Sequence, residues 1–206
     1  MMRAMMMSNR IKPPGLPRPA MGRVRVRTLL LIRWLAIFGQ LAALLVVDKL
    51  LAYDLPMFPA MVTIAASAAV NLWILARHGL SEWHHDRAAA TYLAFDILQL
   101  AALLYLTGGL DNPFALLFLV PVTISATILS LRSTILLGLL ALFCVSLLAL
   151  FHLPLPWPAP GFELPQIYAA AIWVSLALGT LFLMFYAWRG AEETRRMADA
   201  LAATQA

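Results

Sequence analysis

Six apolar stretches dominate this chain of 206 residues, each close to the roughly 20 residues that carry a helix across a bilayer. They read as 29–53, 58–76, 88–107, 114–131, 133–152 and 167–188. Lipid offers the backbone no hydrogen-bond partner, so such runs must be helices. They are also too continuous for barrel strands, which alternate every second residue. The expected fold class is an all-α polytopic membrane protein with six transmembrane helices. Composition agrees: 63% of the residues are hydrophobic and 12% charged, where a soluble domain carries about twice that charge. A water-soluble globular enzyme is excluded. So is a disulfide scaffold, since Cys144 is the single cysteine.

The net charge is +5, but its placement is more informative than its sum, because Lys and Arg in short loops mark the cytoplasmic side. Arg3, Arg10, Lys12, Arg18, Arg23, Arg25 and Arg27 precede the first span, with no acid among them. Arg77 and Arg87 lie in the second connection, Arg132 in the fourth, and Arg189, Arg195 and Arg196 in the tail. The alternate connections carry Asp54, Asp111 and Glu163. Both termini are therefore expected on the cytoplasmic side of the membrane. Three regions follow: residues 1–28 as a basic, disordered arm containing PPGLPRP; 29–188 as the six-helix membrane domain; and 189–206 as the start of a cytoplasmic helix. The basic cluster sets topology and attracts anionic lipid; no nucleic-acid role is expected. The Pro-rich stretch 152–166 is expected to cap the bundle as a semi-rigid lid.

Polar groups inside spans are costly and need partners. Asp96 shares a helix face with Tyr92 and Gln99, at i−4 and i+3. At 1.5 Å per residue from the cytoplasmic ends, Asp96 lies about 12 Å deep, Asn71 about 9 Å, and Gln40 and Gln99 about 16 Å. These groups are expected to form one polar layer facing the bundle interior, with Arg33, about 6 Å in, leaning toward it. The cluster reads equally as an interhelical lock and as a signalling element around Asp96. Asn71 and the two glutamines read as packing locks. Cys144, in an apolar span, is expected to be inert. His78, His84, His85 and His152 fall in loops or at a span end, which suits neither haem nor a metal site. Ala171, Ser175 and Gly179 form a small-residue stripe on the last span, suited to close helix packing within the bundle or between two copies.

The outer turn between the third and fourth spans reads GGLDNPF, residues 108–114. Turn chemistry explains much of it: a glycine ends one helix, while Asn112 and Pro113 provide an N-cap and first helical residue for the next. The stretch GGLDNPFALLFLVPVTISATILS resembles the membrane sensor region of the RegB/PrrB-type redox-responsive sensor histidine kinases. Their hallmark is GGxxNPF between the third and fourth of six spans. The resemblance implies a sensor domain that binds ubiquinone at this turn and reports the redox state of the membrane quinone pool to a kinase. By position, the implied ligand contacts are Gly108, Gly109, Asn112, Pro113 and Phe114. Two glycines would let a flat ring approach the backbone, Asn112 would hydrogen-bond a quinone oxygen, and Phe114 would stack on the ring. Pro121 is expected to kink the fourth span, as a hinge or equally as a static packing feature, freeing the carbonyl of Leu117.

The chain departs from that family's pattern in lacking a phospho-accepting histidine helix, an ATP-binding domain and a cytoplasmic redox cysteine. No catalytic residue is expected in it, and a response regulator would be reached only through a kinase core supplied elsewhere. The tail WRGAEETRRMADALAATQA continues the last span, with Glu192 placed to pair with Arg195 or Arg196. Ala191, Thr194, Ala198 and Leu201 approximate a heptad seam, so a homodimer through the last span and tail helix is expected. A rival reading is a small transporter with Asp96 as its coupling residue, although the two halves show no inverted repeat.

Overall fold

A computed structural model describes residues 23–51, 53–78, 83–155 and 165–204. A short strand β1 (Arg23–Arg25) leads into helix α1 (Val26–Lys49), followed by α2 (Met57–His78), strand β2 (Trp83–His85) and α3 (Asp86–Leu106). Two 3-10 segments follow, Gly109–Asp111 and Pro113–Phe118; the second runs into α4 (Leu119–Ile128). Next come α5 (Leu131–Leu150) and a long α6 (Gln166–Thr204). Apart from the two three-residue strands, every regular element among the described residues is helical.

Five of these helices are long and apolar enough to cross a membrane: Arg27–Lys49, Met57–Arg77, Asp86–Leu106, Leu131–Leu150 and Ile167–Leu201. The sixth expected span is the shorter apolar helix Pro113–Ile128. Its six 3-10 residues and ten α-helical residues rise about 2.0 and 1.5 Å each, giving roughly 27 Å, close to the hydrocarbon thickness. The 3-10 start thus gives a short segment nearly the reach of a full span.

Helix α5 packs between α3 and α6, and α4 lies against α5 and α6. The main core joins Leu93, Ile97, Leu100 and Leu104 of α3 to Phe118, Val122, Leu137, Val145, Leu148 and Leu176. Cys144 is buried in this apolar cluster. A second cluster, with Ile37, Leu44, Ala60 and Ile64, zips α1 to α2. The outward faces carry Leu35, Phe38, Phe58, Leu136, Phe143, Leu178 and Phe182, all exposed. Water would penalise that surface at about 25 cal/mol per Å², whereas acyl chains do not.

Antiparallel pairing of β1 with β2, Arg23 opposite His85, brings the starts of α1 and α3 to one end of the bundle. At the same end, Asp86 accepts hydrogen bonds from the Ser130 N–H at 2.6 Å, the Ser130 hydroxyl at 2.8 Å and the Ser133 hydroxyl. One carboxylate therefore staples the start of α3 to the α4–α5 connection. Its sequence signal was an acid at a helix start, but its partners lie 44 and 47 residues away. The arm expected to run to residue 28 ends sooner: 23–25 are paired and α1 begins at Val26. Pairing supplies partners that a free arm would lack. The rest of the arm, with PPGLPRP, and most of the Pro-rich stretch lie outside the described residues.

The tail continues as expected: α6 runs unbroken to Thr204, with Glu192 and Arg196 paired at 3.2 Å. Of the small-residue stripe, Gly179 faces α4, where an added Cβ would lie 3.1 Å from Leu119. Ala171 and Ser175 face outward.

Candidate functional site

The 108–114 turn is held by its own side chains. Gly108 and Gly109 take left-handed conformations, φ 108° and 57°, which glycine tolerates without strain. An added Cβ at Gly108 would sit 2.7 Å from Leu155 Cβ, and one at Gly109 would meet the His152 ring. The segment after α5 thus covers both glycines, and it is pinned there by Leu153 N–H donating to the Tyr105 carbonyl at 2.9 Å. Of the stretch expected to form a lid, residues 152–155 lie over the turn, and 156–164 lie outside the described residues.

Asn112 caps the following helix, its Oδ1 accepting from Phe114 N–H at 2.9 Å, while Pro113 occupies the first helical position. Its amide donates to the Thr107 carbonyl at 3.0 Å and the Thr107 hydroxyl at 2.9 Å. Three expected ligand contacts, Gly108, Gly109 and Asn112, are thus engaged within the protein itself. The glycine faces are filled by His152 and Leu155, and the Asn112 amide protons point back into the turn. The same residues that make a tight turn leave no donor over for a ring. Phe114 remains 40% exposed and stands at the mouth of a groove.

That groove is a feature the sequence did not reveal. Helix α1 lies close to α2 along its length and meets α3 through long side chains. Between α1, α3 and the fourth span run two cavities, of about 270 Å³ near the turn and about 320 Å³ deeper. Gly39, Gln40, Leu100 and Leu117 line both and form the waist between them. Where a Cβ on Gly39 would sit, no atom lies within 4 Å. The outer cavity is lined by Leu44, Val47, Leu103, Thr107, Asn112, Phe114 and Leu155; the inner one by Arg33, Ser67, Asp96, Gln99, Pro121 and Ile124, among others.

The inner end holds the expected polar layer. Arg33 Nη2 lies 3.1 Å from Asp96 Oδ1, with Arg33 3% exposed. The guanidinium carbon stands 5.8 Å from the Tyr92 ring centroid and 5.7 Å from that of Phe95, a cation–π clamp. Gln40 and Gln99 exchange two amide hydrogen bonds, 3.3 and 3.1 Å, tying α1 to α3. Asn71 stands apart from the groove: its amide donates to the Leu30 carbonyl at 3.4 Å and binds α2 to α1. Tyr92, Asp96, Gln99 and Gln40 are thus brought together, and Asn71 serves as a neighbouring lock.

Pro121 occupies the third position of α4, where the 3-10 segment passes into α-helix without a break. The Leu117 carbonyl is not freed as expected: Leu119 N–H is shared between it and the Leu116 carbonyl. Pro121 marks the change from 3-10 to α geometry and lines the inner cavity. No group of three His, Cys, Asp or Glu among the described residues is placed to hold a metal ion.

Residues 20–186 match the model of the PilS-like transmembrane domain, a six-span unit. The chain belongs to the PilS-like transmembrane domain family. Two curated relatives named sensor histidine kinase RegB, both from Cereibacter sphaeroides, are 42% and 44% identical over 182 and 183 residues, 88% of this chain in each case. The chain spans 39–40% of the length of those relatives. No solved structure matches it. This PilS-like domain is therefore a multi-pass protein of the bacterial inner membrane, homologous to the transmembrane region of RegB sensor kinases.

Proposed function

We propose that this domain senses the membrane quinone pool by binding ubiquinone in the groove between α1, α3 and the fourth span. The observation that carries the reading is the groove itself: apolar, bordered by the part-exposed Phe114 at its outer end, and ending on a polar cluster. An oily molecule with a polar ring fits such a lining. With both termini cytoplasmic, as the basic residues suggest, α6 would carry the response from the bundle to a kinase core and thence to a response regulator. Gly179 against Leu119 and Gly138 against Thr180 and Met184 put α6 in close contact with α4 and α5, so occupancy beside α4 is felt by α6. Two copies would pair through α6. To switch output usefully, the oxidised and reduced ligand must differ by a few kcal/mol in their preference for two bundle states.

The test is equilibrium binding of a short-chain ubiquinone to the purified domain in nanodiscs, read by tryptophan quenching. Saturable binding with one site per chain is expected. Linear partitioning without saturation, as in empty nanodiscs, refutes the proposal.

A further inference from the structure

Among the described residues, Arg33 is the most conspicuous group that the helical scaffold does not satisfy. Its side chain is 3% exposed, yet Nε and Nη1 are buried with no hydrogen-bond partner, while it lines the inner cavity. Burying a charged donor without a partner forfeits its hydration with nothing in return. Such a cost at a cavity wall signals an acceptor that belongs there. The outer end has the opposite character, since Asn112 and the Thr107 hydroxyl donate within the turn and to the Leu103 carbonyl.

We infer that the ligand's ring sits at the inner end of the groove, on Arg33 and Asp96, and not against the glycine turn. This rests on the quinone reading above and places the ring within that site. Arg33, through either Nε or Nη1, donates to a ring carbonyl, and Asp96, whose Oδ1 already faces Nη2, accepts from a ring hydroxyl when the ligand is reduced. One ion pair therefore offers a donor to the oxidised form and an acceptor to the reduced form. The pair is neutral overall, so it suits an uncharged oxygen better than a lipid phosphate. From Asp96 to Thr107 along α3 is about 16 Å, a length of apolar groove for the first isoprenoid units, leaving past Gly39 and Phe114.

The test uses nanodiscs holding the full 206-residue chain, a ubiquinone bearing an azide on its ring, and peptide mapping after illumination. Label on α1 around Arg33 and on α3 around Asp96, competed by plain ubiquinone, is expected. Arg33→Gln should weaken oxidised ubiquinone about 10–100-fold, as expected for a charged hydrogen bond. Asp96→Asn should weaken the reduced form more than the oxidised. Because Arg33→Gln can also loosen the fold, Gly39→Phe serves as the second variant; it adds bulk at the open waist and should weaken binding with helicity and melting retained. Label confined to 107–118, label competed by phosphatidylglycerol but not by ubiquinone, or wild-type affinity in either folded variant overturns the inner site while the quinone reading stands. Absence of saturable binding by the wild type overturns both.

Discussion

Replacing Asn112 by alanine separates a structural role from a ligand role at the outer turn. The substitution removes the acceptor for Phe114 N–H and two donors to Thr107. Loss of an N-cap costs about 1 kcal/mol, and each of the two donated bonds about another 1 kcal/mol. The expected destabilisation is therefore about 2–3 kcal/mol, the upper end reflecting the buried position of Thr107. Asn112→Asp keeps the cap acceptor, loses the donors and sets a carboxylate against the Thr107 carbonyl, so it should recover little. Asn112→Ser keeps the cap alone and should recover about 1 kcal/mol. Reversible unfolding in mixed micelles measures all three, and a double-mutant cycle with Thr107→Val isolates the side-chain bond between them. Quinone affinity, corrected for the folded fraction, should change less than threefold in each. An alanine variant as stable as the wild type but without quinone binding would refute this account and return the amide to the ligand.

The Arg33–Asp96 pair should show the non-additivity of a buried ion pair. Arg33→Met and Asp96→Leu alone should each cost about 3–5 kcal/mol, whereas the double variant should lie near wild-type stability; additive losses in the same unfolding assay would show that the pair is not coupled. Asp86→Ala removes three hydrogen bonds between α3 and the α4–α5 connection. It should cost about 2 kcal/mol or more and speed amide exchange at 129–134, and unchanged exchange there would dissolve the staple.

Much of the candidate site was visible in local sequence. The depths of Asp96, Gln99 and Gln40 along their helices put them in one layer before any packing was known, and Arg33 was close enough to reach it. Asn112–Pro113 announced a helix start, and the structure shows that this capping role takes up the whole amide. The partners of the glycines were not visible, because His152 and Leu155 lie more than 40 residues along the chain. Nor was the position of Pro121 in a first turn, which depends on the preceding segment being 3-10 and not α.

The sequence by itself determined the helices, their number and their polar layer, because in lipid each span must satisfy its own backbone and every polar side chain inside it is costly. Only the tertiary structure decided where the helices part. A residue lining the groove and one facing acyl chains are equally apolar, and association in a bilayer has no hydrophobic pattern to mark its interfaces. Leu117 at the waist therefore reads just as Leu136 on the outer face does, and the opening between α1 and the fourth span depends on how three distant segments settle against one another.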